Sequence, residues 1–326
     1  MLTLSYNHSV ISSQALASVL PDLYDIGKAV ECRFLNNGLN DTYIYTTDEQ
    51  SYAVRVYKAN WRKRQDIDFE LAMLHHLAGR SNPVSSPIPM KSGGFSFMID
   101  APEGERAAAV FTFAPGGYAD NEESSKLYGK EVAKLHREMD TFQTGHDRFI
   151  IDIDHLLYIP LQTIRPFLKQ RPDDIAYLEA VADLLARRLK EAAPHLEWGL
   201  CHGDLHGGNV YFHEGSLTHF DFDCSGYGWR AYDIAVFLWA KVRARGKEAF
   251  NNEKWPLFLE AYQNEKSLAK EDLEAIPLFV AAREIWLMGL HTGFAEVWGG
   301  WMDDNYFNTN IKFLKDWCEH HCLENC

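Results

Sequence analysis

Apolar positions follow two rhythms along the chain, and the change from one to the other falls near residue 114. Before it, period-two alternation prevails. Val30–Leu35, Thr42–Thr46 and Ser51–Tyr57 read as strands, with the polar turn Thr47-Asp48-Glu49-Gln50 between the last two. After a Pro/Ser loop at 81–89, Phe95–Ile99 and Ala107–Phe113 read as two more. Two helical stretches interrupt them. Ser12 caps a helix that runs through Leu20 and should stop at Pro21, and Ile67, Phe69, Glu70, Leu71, Leu74 and Leu77 recur at helical spacing. Beyond Ala114-Pro115-Gly116-Gly117 the rhythm is helical. Glu122–Met139 carries Leu127, Tyr128, Val132, Leu135 and Met139 near one side. An irregular stretch at 141–171 precedes helices at Asp174–Ala193, Ala231–Arg245, Trp255–Gln263, Leu273–Phe294 and Tyr306–Cys322. The pattern predicts an α+β chain in two lobes: residues 1–113, built on a small antiparallel sheet, and residues 114–326, mainly helical, with a hinge at about 110–117.

The candidate chemistry sits in the second lobe. His202-Gly203-Asp204-Leu205-His206-Gly207-Gly208-Asn209 has the H-x-D-x-x-x-x-N spacing suited to phosphoryl transfer, in which an aspartate faces the attacking hydroxyl and an asparagine coordinates magnesium. Val210–Phe212 and Leu217–Phe220 read as a hairpin around His213-Glu214-Gly215-Ser216, which should return Asp221 to the neighbourhood of Asn209 as a second metal ligand. An aspartate in His-Gly-Asp alone could be a turn residue or a helix cap. The spaced Asn209 and Asp221 decide against that. His202 reads as a structural histidine that hydrogen-bonds its loop, and His206 and His219 as ordinary polar positions. Asp223 is open between a substrate-contacting carboxylate and a solvated loop acid.

Together these motifs, with Gly226-Tyr227-Gly228-Trp229-Arg230-Ala231-Tyr232-Asp233-Ile234-Ala235 opening the next helix, resemble the aminoglycoside phosphotransferase and choline kinase superfamily, homoserine-kinase-type II enzymes included. The resemblance implies a protein-kinase-like two-lobed fold, ATP or GTP as phosphoryl donor, magnesium as cofactor, Asp204 as catalytic residue, Asn209 and Asp221 as metal ligands, and Asp233 as a brace for the catalytic loop. In the first lobe it assigns nucleotide contact to Gly38 and Asn40, in a turn with a single glycine, and adenine contact to the backbone of Val110, Phe111, Thr112 and Phe113. Its phosphate-binding lysine position falls on Arg55, with Lys58 close by. Alternation favours Arg55, which shares a face with Ala53 and Tyr57. The resemblance implies that a glutamate of the following helix pairs with this base, and Glu70 is the choice: it lies in the apolar stripe, where a buried acid needs a partner. Asp68 points to another side.

Charge narrows the acceptor. A formal net charge of -14 argues against a nucleic-acid partner and is compatible with a cationic small molecule as well as with plain solubility. Glu284, Trp298, Trp301, Asp303 and Asp304 form an acidic and aromatic region suited to an amine-bearing alcohol through ion pairs and cation–π contacts; Trp286 reads as core. The expected function is therefore phosphorylation of a hydroxyl on a small, amine-bearing molecule. A protein Ser/Thr kinase of the same lineage and a non-catalytic nucleotide-binding protein are the alternatives. No apolar run approaches a bilayer span and Met1-Leu2-Thr3-Leu4-Ser5 lacks a basic start, so the expected location is cytoplasmic, without a membrane partner. Oligomeric state is not legible. Six cysteines are scattered too widely for a disulfide scaffold, and the run Cys318, Cys322, Cys326 beside His320 and His321 reads as a helix stripe, since C-x-x-x-C is not a usual zinc spacing.

Overall fold

The structure, a computed structural model, describes residues 4–243 and 245–323; Met1-Leu2-Thr3 of the expected non-secretory start, and Cys326, lie outside the described residues. The chain divides into two compact units. The first takes the residues up to Gly116 together with Phe142–Arg148 and Thr218–Asp223, and the second takes Gly117–Thr141, Phe149–Leu217 and the residues from Cys224 on. The rhythm of the sequence placed one boundary at 113/114. A local pattern carries no sign that two short later segments return to the first unit.

In the first unit, α1 (Ser13–Leu23) starts where Ser12 Oγ accepts the Ala15 amide at 3.4 Å. Pro21 does not stop it. The proline stands in the last turn and removes one helical hydrogen bond, and the helix continues until the Tyr24 amide bonds Leu20 O at 2.9 Å. β1 (Glu31–Asn37), β2 (Asn40–Thr46), β3 (Ser51–Tyr57), β4 (Ser96–Ala101) and β5 (Gly104–Thr112) form one antiparallel sheet in the order β1-β2-β3-β5-β4, and α2 (Arg64–Gly79) follows β3. The register sets Val54 opposite Tyr43 on one side and Val110 on the other. These residues pack with Tyr45, Val56, Leu16 and Leu20 into a core on one face of the sheet. Each such side chain, fully buried, stabilises the fold by roughly 1.5–3 kcal/mol. The opposite face of β3 carries Arg55 and Tyr57, and both reach α2 through Glu70.

In the second unit, α3 (Glu122–Met139) runs beside α7 (Lys254–Glu265) so closely that a Cβ on Gly129 would meet the Phe258 carbonyl oxygen at 2.1 Å. Between them in sequence lie β6 (Ile150–Ile151), α4 (Ile159–Ile164), α5 (Pro172–Ala192), β7 (Trp198–Cys201), β8 (Val210–His213), β9 (Ser216–His219), β10 (Gly226–Trp229) and α6 (Arg230–Val242). β10 pairs in parallel with β6 and antiparallel with β7, while β8 and β9 make the expected hairpin, from whose second strand the chain passes into the first unit. α8 (Lys270–Gly293), α9 (Ala295–Trp298) and α10 (Asp304–His320) close the chain. Along α8 nearly every side chain from Ala275 to Met288 is buried, and Arg283 and Glu284 are buried with them. Among the described residues no helix is long and apolar enough to cross a membrane.

Candidate active site

The catalytic-loop side belongs to the second unit. β7 ends at Cys201 and the backbone turns sharply at Gly203, whose φ of +83° is a conformation open to glycine, and where a Cβ would meet the Cys224 carbonyl oxygen at 2.1 Å. Asp233, at the start of α6, fixes the turn: Oδ2 accepts the His202 amide at 2.7 Å and Oδ1 the Gly203 amide at 2.8 Å. His136 Nε2 lies 2.9 Å from Asp233 Oδ2 and Nδ1 lies 2.8 Å from the Tyr262 hydroxyl. Burial and the nearby Arg230 push the His136 pKa down to about 4, so the imidazole is neutral. His202 Nδ1 accepts the Asp204 amide at 3.3 Å, a hydrogen bond within its own loop.

Asp204 is held on both carboxylate oxygens. Asn209 Nδ2 donates to Oδ2 at 3.0 Å, His206 Nε2 lies 3.3 Å from the same oxygen, and the Arg283 guanidinium donates to Oδ1. Arg283 also donates to Gly203 O at 3.3 Å and lies 4.2 Å from the Trp286 ring centroid. Burial works against the charge of Asp204, but His206 and Arg283 outweigh it and hold the carboxyl well below the usual carboxylate range. Asp204 is thus an ionised, oriented hydrogen-bond acceptor. With Asn209 Nδ2 committed to Asp204, its amide oxygen is the atom available to a cation. Arg283 and His206 were both missed at the level of sequence. Arg283 had a usable signal, because a charged residue inside the apolar run Ile276–Leu290 must have a partner.

The residues expected to contact the nucleotide lie in the first unit. Arg55 Nη1 bonds Glu70 Oε1 at 2.7 Å, and the Tyr57 hydroxyl donates to Glu70 Oε2 at 3.1 Å. Burial opposes the charge of Arg55, yet Asp221 and Glu70 raise its pKa well above normal, and it stays a cation. Arg55 Nη2 also donates to Asp221 Oδ1 at 3.1 Å. Asp221 keeps 45 % of its side chain exposed and adopts a φ of +63°. Lys58 takes a different position. Its amide donates to Asn40 Oδ1 at 3.2 Å, and burial lowers its ammonium to about 8 with Asp41 and Arg106 as charged neighbours. Asn40 Nδ2 donates to Asp223 Oδ2 at 2.6 Å, and the amide of Gly38 bonds Asn40 O at 3.2 Å. Asp223 is 3 % exposed, which removes the solvated-acid reading. Of the proposed adenine contacts, two have backbone groups already engaged: Val110 O accepts from Ile88 N and Thr112 N donates to Ser86 O. The Phe111 ring stacks toward Arg55 at 5.2 Å, and Phe113 follows β5, partly exposed.

The acidic and aromatic candidates for the acceptor side do not gather into one surface. Glu284 is fully buried and accepts from Trp239 Nε1 at 2.7 Å and Arg243 Nε at 3.1 Å. Asp303 caps α10 by accepting the Tyr306 amide at 2.9 Å, and Asp304 pairs with Arg171 at 3.3 Å. Trp298 and Trp301 make T-shaped contacts with His291, at centroid distances of 5.3 and 5.0 Å, so both rings pack against a side chain of the protein itself. Trp301 remains 47 % exposed. At the C-terminus Cys318 is a buried and Cys322 an exposed thiol, and among the described residues no group of three or more His, Cys, Asp or Glu is arranged to hold a metal ion.

An antiparallel sheet with a buried Arg–Glu pair, followed by a helical unit with a braced His-Gly-Asp loop, defines a kinase-like phosphotransferase. The chain belongs to the phosphotransferase enzyme family, whose signature spans residues 31–274. It is 41% identical over 318 residues to an uncharacterized protein of Deinococcus radiodurans, covering 96% of this chain and 92% of that one. It is 28% identical over 272 residues to the amicoumacin kinase of Bacillus subtilis, covering 80% and 78% of the two chains. Among solved structures, a microcompartment-associated aminopropanol kinase superimposes with a TM-score of 0.77 at 21% identity, over 95% of this chain and 96% of that one. The chain is accordingly a phosphotransferase of the kind that acts on hydroxyl groups of small molecules.

Proposed function

We propose that the chain transfers the terminal phosphoryl group of ATP, with magnesium, to a hydroxyl of a small amine-bearing molecule. The observation that carries this reading is Asp204, an ionised carboxylate fixed from both sides on a loop whose amides are themselves held by Asp233. Asp204 accepts the hydrogen bond of the acceptor hydroxyl, aligns its oxygen for attack and takes its proton as the new O–P bond forms and the bond from the terminal phosphorus to its bridging oxygen breaks, ADP leaving with that electron pair. Arg55, held by Glu70, binds phosphate oxygens. The carboxylate of Asp221 and the amide oxygen of Asn209 are the hard oxygen donors that suit magnesium. When bound, the nucleotide supplies the phosphoryl group and the cation neutralises charge on its phosphates. Positioning and charge neutralisation carry most of the acceleration, since the transition state is loose.

The amine on the acceptor rests on the aminopropanol and amicoumacin kinases that the chain resembles, and on its net charge of -14. On the acceptor side we assign Trp301 as the exposed contact and Asp304 as its acidic neighbour. The test is nucleotide consumption with magnesium against aminopropanol and related amino alcohols, homoserine, choline and aminoglycosides, with Asp204→Ala as control. Acceptor-dependent turnover that Asp204→Ala abolishes supports the reading. Turnover that survives Asp204→Ala, or consumption that no acceptor changes, contradicts it.

A further inference from the structure

Asp223 is a carboxylate that the proposed chemistry leaves without a task, yet three elements of the first unit converge on it. Oδ2 accepts Asn40 Nδ2 at 2.6 Å from the first residue of β2, where the β1–β2 turn ends, and Trp61 Nε1 at 2.8 Å from the connection between β3 and α2. Arg62 Nη2 lies 3.8 Å from Oδ1, and its guanidinium lies over the Trp61 ring at 3.8 Å. The backbone of the same segment is gripped by Arg148, whose Nη2 donates to Asp223 O at 2.6 Å while Nη1 donates to Asp66 O at 2.5 Å in the first turn of α2. Asn40 is committed in turn, its Oδ1 accepting the Lys58 amide at the end of β3.

Two residues before this anchor stands Asp221, with a φ of +63° that side-chain-bearing residues rarely adopt. Such a conformation persists where its surroundings over-determine it. On one side Arg55 holds the Asp221 side chain, and on the other Arg148 holds the backbone of Asp223. The Asp223 carboxylate accepts from Asn40, so the place of the β1–β2 turn is tied to the segment that carries Asp221.

We propose that Asp223 is a positioning residue that latches the β1–β2 turn to the segment bearing Asp221, so that nucleotide affinity depends on the Asn40–Asp223 hydrogen bond. Asp223 is thereby removed from the acceptor contacts. The proposal rests on the reading that Asn40 and Asp221 serve the nucleotide and its metal ion. It requires that breaking the latch at either end have the same consequence, and that reversing the hydrogen bond restore it. In the double variant Asn40→Asp with Asp223→Asn, an amide at 223 donates to a carboxylate at 40, while the bond from Trp61 Nε1 is given up, because Asn40 and Trp61 donate to the same oxygen of Asp223.

The experiment measures ATP-magnesium binding by titration calorimetry in an Asp204→Ala background, where turnover cannot obscure it, together with the melting temperature of each form without nucleotide. Asn40→Ala and Asp223→Ala are each expected to raise Kd tenfold or more, their combination to raise it no further, and the reversed pair to return it to within about threefold. Trp61→Phe, which keeps the ring and deletes the donor, tests the latch without removing the carboxylate and should raise Kd a few-fold. Unchanged Kd in Asp223→Ala and Trp61→Phe, with melting temperatures lowered, would show a merely structural carboxylate and overturn the proposal. Strictly multiplicative losses with no recovery in the reversed pair overturn it as well. Absence of nucleotide binding in every form, the unsubstituted chain included, overturns the functional reading and the latch with it.

Discussion

Each unit sets an arginine against a carboxylate, and in the proposed chemistry the two pairs differ in which partner is used. In the first unit Arg55 leans on Glu70, and the arginine is the working group; Glu70 is internal and also accepts from Tyr57. In the second, Arg283 is the internal group and the carboxylate, Asp204, does the work. Burial of the supporting partner is common to both, because a charge enclosed in protein without its counter-charge is costly and the pair therefore keeps its geometry. The difference lies in what the support does to its partner. Glu70, with Asp221, keeps the Arg55 cation charged, whereas Arg283, with His206, keeps the Asp204 carboxylate ionised; in the proposed chemistry the first binds phosphate and the second orients the hydroxyl.

The largest effect should come from the working group of the second pair. Asp204→Ala is expected to lower kcat by about 10³-fold with nucleotide affinity little changed, measured by steady-state turnover and calorimetry. Removal of its support should follow closely: Arg283→Met is expected to lower kcat by about 10²-fold and unfolding stability by about 3 kcal/mol, read from urea transitions. Equal loss of stability with unchanged kcat would reduce Arg283 to a packing residue and break the comparison.

The brace behind Asp204 makes the second unit sensitive to acid. The folded pKa of His136, about 4, lies below its unfolded value, so its neutral form stabilises the fold above the unfolded value. That contribution is lost as pH falls from about 6.5 through 4, and amounts to about 2 kcal/mol at pH 5 relative to pH 7. Urea midpoints at the two pH values check it, and His136→Gln should flatten the difference. The smallest effect falls on the first pair. Glu70→Gln leaves Arg55 charged and still facing Asp221, so the nucleotide KM should rise about tenfold (~1.4 kcal/mol) while kcat changes less. A larger loss of kcat than in Arg283→Met would reverse the order of the two pairs.

The same contrast explains what was legible in the sequence. Arg55 and Glu70 lie on regular elements, so once the family resemblance implied a base–glutamate pair, period-two alternation and helical spacing picked out these two residues, and the five strands, α2 and the β8–β9 hairpin followed from the same rhythms. Arg283 lies 79 residues from Asp204 on a helix buried almost all round, where periodicity assigns no side. It was legible only as a charge in an apolar run. The argument that gave Glu70 a partner applied equally to Arg283 and to Glu284, whose partners proved to be Arg243 and Trp239 rather than a substrate. Asp223 shows the other limit. Its three side-chain partners come from 161 to 183 residues earlier in the chain, a convergence that no local pattern encodes.

The measurement that tests the central claim most directly follows the label from ATP labelled on its terminal phosphate, with magnesium and the amino-alcohol panel, for the unsubstituted chain and for Asp204→Asn, which keeps the shape of the side chain and discards its charge. The result expected is a labelled phosphate ester of one acceptor from the unsubstituted chain and a loss of about 10³-fold in its rate of formation in Asp204→Asn. Ester formed at equal rates by both would contradict the assignment of Asp204, and label released only as inorganic phosphate, whatever the acceptor, would contradict the proposed acceptor chemistry.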